Sequence, residues 1–454
     1  MRDLSTIVKA YDIRGLVPDE LDEDVAREVG AAFVRLTGAD RIVTAHDMRA
    51  SSGPLSRAFA AGAAGQGADV VETGLGSTDM LYFASGSLDL PGAMFTASHN
   101  PTRYNGIKLC RAGASPVGQD SGLREIREMI DGGLPAHSGP PGTVERRDLL
   151  SGYARYLRGL VDLSGIRPLT VVVDAGNGMA GYTVPAVLGD AILPALPLTI
   201  VPMYFELDGS FPHHEANPLD PANLVDLQAR VRRVGADLGL AFDGDADRCF
   251  VVDERGDPVS PSGVTALVAT RELAKEPAAT VIHNLITSKA VPEIVREHGG
   301  VPVRTRVGHS FIKAEMARTG AIFGGEHSAH YYFRQFWRAD TGMLAAMHVF
   351  AALGGQHRPL SELTSVFVRY AASGEINSTV RDQAGRLAAV EQRYAGRDGI
   401  DIDHVDGLTV QLPDGSWFNL RPSNTEPLLR LNVEAADQAR MAALRDEVLA
   451  LVRA

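Results

Sequence analysis

Three alternating aspartates form the group with the clearest chemical potential. The segment Asp243-Gly244-Asp245-Ala246-Asp247-Arg248 lies between two apolar runs. Carboxylates at alternate positions of an irregular loop can all point at one centre, and Mg²⁺ is a hard cation that takes oxygen ligands. Three carboxylates and a phosphate oxygen would suit it, and Arg248 could contact that phosphate. The spacing therefore predicts a Mg²⁺ site formed by Asp243, Asp245 and Asp247.

The same spacing also resembles a calcium-binding EF-hand loop, in which the three aspartates would fill positions 1, 3 and 5. Position 6 requires glycine for a sharp turn, and here it is Arg248. The flanking runs 238–242 and 249–252 are typical of strands, whereas an EF-hand needs helices. Calcium is therefore disfavoured, and a plain solvated acidic turn remains the alternative to the Mg²⁺ site.

A candidate nucleophile lies in the segment Thr96-Ala97-Ser98-His99-Asn100-Pro101, which follows the apolar run 92–95. One interpretation is an ordinary turn, because Ser and Asn bond to neighbouring backbone and Pro101 stiffens the exit. The other makes Ser98 a nucleophile. No G-x-S-x-G elbow surrounds it, which disfavours an esterase-type triad. A serine beside a metal and a cation such as Lys108 could instead carry a phosphoryl group.

A third cluster, at 324–330, offers groups that bind sugar hydroxyls. Glu326 and Ser328 could hydrogen-bond adjacent hydroxyls, because a carboxylate accepts and a hydroxyl both donates and accepts. The aromatic residues that follow indicate a partly apolar wall. A Gly-Gly turn with polar neighbours is also common on surfaces, so this cluster alone is weak.

A fourth cluster, at 421–427, is suited to a phosphate group. A tight turn would supply backbone N–H groups together with a guanidinium, two hydroxyls and an amide. These side chains are Arg421, Ser423, Asn424 and Thr425. An ordinary polar turn is the competing interpretation.

The glycine pattern Gly176-x-Gly178-x-x-Gly181 fits the dinucleotide-binding fingerprint in spacing. Asp174 lies just before the glycines, where its charge would oppose a pyrophosphate. The acidic residue expected about 20 positions later is also poorly placed, since Asp190 is early and Glu206 is late. A nicotinamide or flavin enzyme is therefore disfavoured.

Composition and charge limit the possible partners. With 454 residues, 45% of them hydrophobic and 22% charged, the chain is typical of a globular protein of several domains. The net charge of −12 disfavours nucleic acid and anionic membranes as partners. Two distant cysteines, Cys110 and Cys249, make a disulfide framework or a zinc site unexpected. With neither a signal peptide nor a membrane span in its pattern, the sequence indicates a cytoplasmic protein, monomeric or dimeric.

The elements that must position these clusters follow a repeated pattern. A β-branched apolar run, a polar turn and a helix-like stretch recur near residues 41–65, 169–187 and 280–297. This alternation predicts βαβ units with helices on both faces of mixed or parallel sheets. The Gly-, Pro- and Ser-rich segment 131–147 is predicted to be a linker. The last 90 residues or so differ, with short strands and two helices expected.

Taken in order, these segments resemble the α-D-phosphohexomutase family, and within it the bacterial phosphomannomutase/phosphoglucomutase group. The matching segments are 9–15 (Lys-Ala-Tyr-Asp-Ile-Arg-Gly), 96–101, 243–248, 325–330 and 421–427. The resemblance implies an α/β protein of three similar domains with mixed sheets plus a smaller C-terminal α+β domain around a central cleft. We expect a phosphoserine-loop domain at 1–146, a metal-loop domain at 147–254, a sugar-loop domain at 255–366 and a phosphate-loop domain at 367–454.

The resemblance also implies roles for individual residues. The catalytic set is Ser98, Arg14, His99, Lys108 and His330. The metal set is Ser98, as phosphoserine, with Asp243, Asp245 and Asp247. The substrate-binding set is Tyr11, Arg248, His309, Glu326, Ser328, Arg421, Ser423, Asn424 and Thr425. Ala329 and Asn424 resemble the phosphomannomutase/phosphoglucomutase group more than the phosphoglucosamine mutases.

The function implied is reversible phosphoryl transfer between positions 1 and 6 of a hexose phosphate, mannose or glucose. Phosphoserine, Mg²⁺ and a hexose 1,6-bisphosphate, which is both intermediate and activator, would take part. Which of His330, Lys108 and His99 deprotonates the attacking hydroxyl stays open. A metal-dependent sugar phosphatase is the main alternative, ahead of a calcium-stabilised binding protein and a dinucleotide-dependent oxidoreductase.

Overall fold

The computed structural model describes residues 4–423 and 428–454, which form four sheets in chain order. The first sheet has the order β1-β5-β4-β2-β3-β7, with β6 paired to β5. Its strands are β1 (Ile13–Leu16), β2 (Arg41–His46), β3 (Asp69–Leu75), β4 (Gly92–Phe95), β5 (Tyr104–Arg111), β6 (Ser115–Pro116) and β7 (Val144–Arg146). Its helices are α1 (Glu23–Thr37), α2 (Ser52–Gly65), α3 (Thr78–Leu88) and α4 (Leu123–Asp131). The prediction of a linker over 131–147 is wrong near its end, because β7 lies there and pairs in parallel with β3.

The second sheet has the order β12-β11-β10-β8-β9. Its strands are β8 (Leu169–Asp174), β9 (Leu198–Met203), β10 (Leu238–Phe242), β11 (Cys249–Asp253) and β12 (Pro258–Val259), with helices α5 (Leu150–Leu160), α6 (Ala180–Val187) and α7 (Val225–Val234). β10 is parallel to β8 and antiparallel to β11. Every residue of β10 is buried, as expected of a central strand that is covered on both faces.

The third sheet has the order β14-β13-β15-β16-β17. Its strands are β13 (Thr280–Asn284), β14 (Val301–Thr305), β15 (Phe323–Gly325), β16 (Tyr331–Phe333) and β17 (Ala339–Asp340). Its helices are α8 (Pro261–Lys275), α9 (Ala290–Glu297), α10 (His309–Thr319), α11 (Gly342–Gly354) and α12 (Leu360–Ser365). All three of these sheets mix parallel and antiparallel pairs, as predicted.

The fourth sheet is antiparallel throughout, with the order β18-β22-β21-β20-β19. Its strands are β18 (Ala371–Thr379), β19 (Asp401–Asp403), β20 (Leu408–Gln411), β21 (Trp417–Pro422) and β22 (Leu428–Ala435), with helices α13 (Gln383–Tyr394) and α14 (Gln438–Arg453). Arg421 and Pro422, which were expected in a turn, belong to β21. Among the described residues, no helix is long and apolar enough to cross a membrane.

The same connection recurs in the first three sheets. In each, a strand that is parallel to one neighbour turns into an antiparallel partner: β4 into β5, β10 into β11, and β15 into β16. These three turns are the Ser98 segment, the aspartate segment and the Glu326 segment. The fold therefore puts each of the first three clusters on an equivalent hairpin turn.

A buried carboxylate joins the first three domains. Asp79, in the first turn of α3, accepts hydrogen bonds from Tyr153 of α5 at 2.7 Å and from Thr341, before α11, at 2.7 Å. Ser77 also donates to it. One apolar core runs through this region, whereas the fourth sheet has a separate core. The first three domains are therefore packed as one unit around Asp79.

Burial raises the pKa of Asp79 from its ordinary 3.8 to about 6, although the three hydrogen bonds that the carboxylate accepts lower the pKa. Because the native carboxyl holds its proton to higher pH than the unfolded one, its contribution to stability is fully present below about pH 4 and is lost as pH rises through 6. We expect Asp79→Asn to flatten this part of the pH–stability curve. In the wild type, ionisation of this carboxyl should lower the free energy of unfolding by up to about 3 kcal/mol between pH 4 and pH 8. Urea unfolding of both proteins at pH 4, 6 and 8 measures whether this loss disappears in the variant. A variant with the wild-type pH dependence would contradict this assignment.

Candidate active site

Ser98 faces the aspartate turn across the boundary between the first two domains. Its Oγ donates to Asp243 Oδ2 at 2.8 Å and lies 3.1 Å from His99 Nδ1. The side chain is buried, and the residue has φ +50°, a conformation that costs a non-glycine residue energy. The hydroxyl is therefore held beside a carboxylate in a water-poor setting, as a group-carrying serine needs.

The three predicted metal ligands form one compact group. Asp243, Asp245 and Asp247 are buried, and each has a carboxylate oxygen within 4.8 Å of the others'. Asp245 Oδ1 and Asp247 Oδ1 are buried and have no hydrogen-bond partner among the described residues. Unpaired buried carboxylate oxygens are costly unless a cation binds them. The donor set, all oxygen, fits a hard divalent cation. The strands that flank the turn also rule out an EF-hand.

Two cations offset the negative charge of this group. Lys108 Nζ donates to Asp245 Oδ2 and to Asp247 Oδ2, both at 2.7 Å. Burial opposes the charged ammonium, but the two carboxylates outweigh it and raise the pKa of Lys108. Arg248 is also buried and contacts Asp243 through Nε at 2.9 Å. Its Nη2 lies 3.4 Å from Ser98 Oγ, so the guanidinium reaches the position where a phosphoryl group on Ser98 would lie.

His99 adds a neutral ring to this cluster. Its Nδ1 accepts a hydrogen bond from Arg248. Burial lowers the pKa of His99 well below its ordinary value, and the Arg248 charge lowers it further. The imidazole is therefore uncharged beside the serine.

Helix α3 of the first domain orients one of the ligands. Thr78 N–H donates to the Asp245 carbonyl at 3.0 Å, and Thr78 Oγ1 donates to Asp245 Oδ2 at 2.6 Å. With Lys108 on the same oxygen, Oδ2 is occupied and Oδ1 is left for a cation. No pattern in the sequence indicated that Thr78 contacts Asp245, because a Ser-Thr pair at the start of a helix is typical of an N-cap.

We expect Thr78→Val to weaken divalent-cation binding by about 10- to 100-fold, as losing a hydrogen bond behind a metal ligand generally does. Thr78→Ser keeps the hydroxyl and is the matched control. Titration of each protein with Mn²⁺, followed by electron paramagnetic resonance, measures the affinity directly. Equal affinities in the valine and serine variants would contradict the role of the hydroxyl.

The glycine pattern at 176–181 has a packing role. A Cβ on Gly178 would lie 2.7 Å from the Gly244 carbonyl oxygen, and one on Gly244 would lie 2.4 Å from the Ser98 carbonyl oxygen. Both distances are too short for any side chain. The glycines thus allow three backbone segments to stack beneath Ser98, which accounts for a pattern that also resembles a dinucleotide fingerprint.

His330 links the predicted sugar-binding segment, residues 325–330, to the three aspartates. Its backbone pairs with that of Arg248, and its Nε2 lies 3.6 Å from Asp247 Oδ1. Its Nδ1 lies 2.9 Å from Ser328 Oγ. Ala329, between them, has φ +63°.

Glu326 is buried, and its carboxylate accepts from Asn284 Nδ2 at 3.0 Å, from Gly308 N–H at 3.3 Å and from the Tyr332 hydroxyl. A carboxylate has about four acceptor positions. One position therefore remains for a ligand hydroxyl, and the other three fix the orientation of the group.

Tyr11 and His309 lie at the contact between the first and third domains, whereas Arg14 makes its contacts within the first domain. The Tyr11 ring meets the His309 ring edge-on, with centroids 5.0 Å apart. Arg14 donates to Asn100 of the Ser98 turn and to Asp12. Burial lowers the pKa of His309 to about 3, so its ring is neutral.

Arg421 and Ser423 lie in the fourth domain. Arg421 pairs with Glu375 of β18 at 2.7 Å, and Glu375 also lies 3.4 Å from Arg430. Burial lowers the pKa of His327 in the sugar loop; Glu375 opposes this shift and Arg421 adds to it. The positive charge of Arg421 therefore acts on His327, which lies in the predicted sugar-binding segment 325–330. Asn424 and Thr425 lie outside the described residues.

Sequence reasoning missed several residues that support these groups. Each is buried or half-buried and contacts a predicted residue or its loop: Arg49, Thr78, Asn284, Lys313 and Asp340. Lys313 and Asp340 form a buried ion pair at 2.7 Å behind Tyr82, on which the ammonium also packs. Of these, Arg49 and Asn284 had a visible signal, since each belongs to a polar turn after a predicted strand.

Family models for phosphoglucomutase/phosphomannomutase match the chain in four parts. Domain I matches residues 5–134, domain II 151–256, domain III 261–370 and the C-terminal domain 375–451. Together they cover nearly the whole chain. The chain belongs to the phosphoglucomutase/phosphomannomutase family. It is therefore a phosphohexomutase, an isomerase of carbohydrate metabolism, as the sequence motifs predicted.

Individual members of the phosphohexomutase family support this assignment. The chain is 40% identical over 442 residues to "Phosphohexose mutases" of Xanthomonas campestris, covering 97% of each chain. It is 39% identical over 455 residues to a "Phosphomannomutase" of Escherichia coli, covering 99% of each. Its structure matches that of a phosphoglucomutase/phosphomannomutase family protein from Burkholderia thailandensis with a TM-score of 0.88 at 32% identity, covering 100% and 98% of the two chains.

Proposed function

We propose that the enzyme moves a phosphoryl group reversibly between positions 1 and 6 of a hexose, using phosphoserine 98 and a hexose 1,6-bisphosphate intermediate. Mannose 1-phosphate and mannose 6-phosphate are the proposed main pair, since several relatives near 39% identity carry the name phosphomannomutase. Glucose phosphates are proposed as further substrates, because the two sugars differ only at one hydroxyl. The observation that carries the proposal is Ser98 Oγ at 2.8 Å from Asp243, within the cluster of three aspartates and two cations.

In the proposed first step, the free hydroxyl of a hexose monophosphate attacks the phosphorus on Ser98. The new bond forms to the sugar oxygen, the bond from phosphorus to Ser98 Oγ breaks, and the hydroxyl proton passes to a base. The bisphosphate then reorients within the site, and Ser98 Oγ attacks the phosphorus at its other end. The bond from that phosphorus to the sugar oxygen breaks, and the base returns the proton to this oxygen, which leaves the isomeric monophosphate. His99 and His330 border the reacting groups and are the proposed proton carriers. Lys108, which its two carboxylate partners keep charged, is proposed to act as a cation instead.

The chain's cations would stabilise the charge on the transferring group. Arg248 and Lys108 are already close to Ser98 and its aspartates, and catalysis of phosphoryl transfer depends mainly on positioning and electrostatics. Mg²⁺ bound by Asp243, Asp245, Asp247 and the phosphoserine would supply Lewis-acid neutralisation of the phosphoryl oxygens. Arg14 is the third proposed cation of the reaction, through its contact with the Ser98 turn.

The rest of the site would bind the sugar and its second phosphate. Glu326 and Ser328 would bind hydroxyls that take equivalent places in both orientations of the bisphosphate. Arg421, Ser423, Asn424 and Thr425 would hold the phosphate that is not reacting, from either end of the sugar. Tyr11 and His309 would line the substrate on the side of the first and third domains.

The test is a product assay with mannose 1-phosphate and glucose 1-phosphate separately, each with Mg²⁺ and a trace of hexose 1,6-bisphosphate. We expect the corresponding 6-phosphate as product, and a dependence on the bisphosphate activator. Release of inorganic phosphate in its place would favour a sugar phosphatase and overturn the proposal.

A variant of the phosphate-binding arginine separates the two activities further. A mutase must grip the distal phosphate, so we expect Arg421→Ala to raise KM and lower kcat/KM by about 100-fold, the loss typical of a charged hydrogen bond. Arg393→Ala removes another ion-paired arginine of the fourth domain, 3.1 Å from Glu447, and is the matched control. Equal activity in the two variants would show that the distal phosphate is not held by Arg421.

A further inference from the structure

One buried guanidinium donates hydrogen bonds to several backbone carbonyls in and next to the Ser98 turn. Arg49 Nη2 donates to the carbonyls of Ser98 at 3.0 Å and Asn100 at 2.6 Å. Its Nη1 donates to the carbonyls of Pro101 at 3.0 Å and Tyr104 at 3.1 Å. Three of the four acceptors belong to the connection between β4 and β5, and the fourth, Tyr104, is the first residue of β5. The turn is thus folded around a single side chain from the turn after β2.

Arg49 is itself fixed from two domains. Asp47 lies 3.3 Å from Arg49 Nε and accepts the Arg49 backbone N–H at 2.9 Å, and the Ser52 hydroxyl also donates to Asp47. From the second domain, the Phe211 ring covers the guanidinium, with its centroid 5.0 Å from Cζ. Arg49 is only 3% exposed, so water does not compete for these bonds. The guanidinium therefore has one available position.

The conformation of the turn needs such support. Ser98 has φ +50°, which costs a non-glycine residue about 1 kcal/mol or more. Carbonyl oxygens that converge on one point also repel one another unless a donor lies between them. A planar guanidinium offers several N–H groups in a fixed fork, whereas a lysine ammonium offers three donors from one atom.

We propose that Arg49 is the positioning residue that aims Ser98 Oγ for phosphoryl transfer, through its bonds to the carbonyl of the nucleophile itself and to the backbone that follows it. The inference rests on the proposed function, in which Ser98 carries the phosphoryl group. In the described part of the chain, the polar contacts of the Arg49 side chain are with Asp47 and the four carbonyls and include none of the three aspartates. Its effect is therefore on the geometry of the nucleophile, and cation and substrate affinities depend on other residues.

The test is the phosphorylation of dephosphorylated enzyme by glucose 1,6-bisphosphate. In that step Ser98 Oγ attacks one phosphorus, the phosphorus–sugar oxygen bond breaks, and the serine proton ends on the sugar hydroxyl. We expect Arg49→Lys, which keeps the charge beside Asp47, to slow this step about 100-fold, the loss that a misplacement near 1 Å causes. The KM for the bisphosphate and the Mn²⁺ affinity should stay within about twofold of wild type. Stopped reactions analysed by mass spectrometry of the Ser98 peptide give the rate.

Arg158→Lys is the matched control. Arg158 also donates to three backbone carbonyls, those of Val187, Gly189 and Pro194, but far from Ser98 in the second domain. We expect it to lower thermal stability while the phosphorylation rate stays at the wild-type value. Equal slowing in both lysine variants would reduce Arg49 to a general stabiliser and overturn the proposal.

A second variant covers the case in which Arg49→Lys does not fold. Phe211→Leu removes the ring over the guanidinium and leaves all hydrogen bonds in place, so we expect a milder slowing of about threefold to tenfold. Phosphorylation at the wild-type rate in the folded variants would overturn the role of Arg49. A wild-type enzyme that takes up no phosphoryl group on Ser98 would instead overturn the proposed function, and this inference with it.

Discussion

Ser98→Ala is expected to lower kcat for interconversion of the hexose phosphates by about four to six orders of magnitude, the scale seen when a covalent nucleophile is removed. The variant has no oxygen to carry the phosphoryl group. Its Mn²⁺ affinity should stay close to that of dephosphorylated wild type, because the three aspartates remain in place, and should be lower than that of the phosphorylated enzyme, in which phosphoserine 98 is a proposed ligand. A coupled assay of 6-phosphate formation and a Mn²⁺ titration measure the two quantities on the same preparation.

Ser85→Ala is the matched control for this substitution. Ser85 is also a buried serine of the first domain, and its hydroxyl donates to the Leu90 carbonyl at 2.6 Å. The hydroxyl also accepts the Ala114 N–H at 3.1 Å, so losing both bonds should lower stability by about 1 to 3 kcal/mol and leave kcat unchanged. A folded Ser98→Ala variant that retained a substantial fraction of the activity would show that the phosphoryl group is carried elsewhere.

Asp245→Asn is expected to lower the affinity for Mn²⁺ or Mg²⁺ by at least about 100-fold, and kcat by about 1000-fold, since a metal supplies several kcal/mol of charge stabilisation. Burial would raise the pKa of Asp245, but Lys108 at 2.7 Å outweighs it and holds the pKa below its ordinary value. The carboxylate is therefore charged in the wild type. Asp245→Asn removes this negative charge, which attracts both the bound cation and the Lys108 ammonium.

Asp226→Asn provides the control for the loss of a carboxylate in the same domain. Asp226 accepts a hydrogen bond from Tyr204 at 2.8 Å, away from the three aspartates, so cation affinity should not change.

If Thr78 acts through Asp245, then Thr78→Val should cause little further loss of cation affinity in the Asp245→Asn background, which a double-variant cycle measures. Wild-type affinity in Asp245→Asn would remove this residue from the ligand set.

The sequence indicated the candidate groups where their chemistry is local. Asp243, Asp245 and Asp247 fall within five positions, so their convergence needs only an irregular turn between two strands, and both strands were readable from apolar runs. The four-domain α/β organisation followed from repeated strand–helix patterns and from motifs that resemble one family. The segment 131–147 was harder, because an edge strand as short as β7 has little apolar pattern to identify it.

By itself, then, the sequence determined which residue types stand at the ends of which strands, because strand pattern and turn chemistry are properties of neighbouring residues. Only the tertiary structure decided which of these ends meet. Thr78 and Asp245 are 167 positions apart, and Arg49 reaches carbonyls about 50 positions away. Such contacts depend on how sheets and helices pack across domain boundaries, and on backbone carbonyls that are common to every residue type. That is the physical reason why the site's ligands were visible in the sequence and the groups that hold them in place were not.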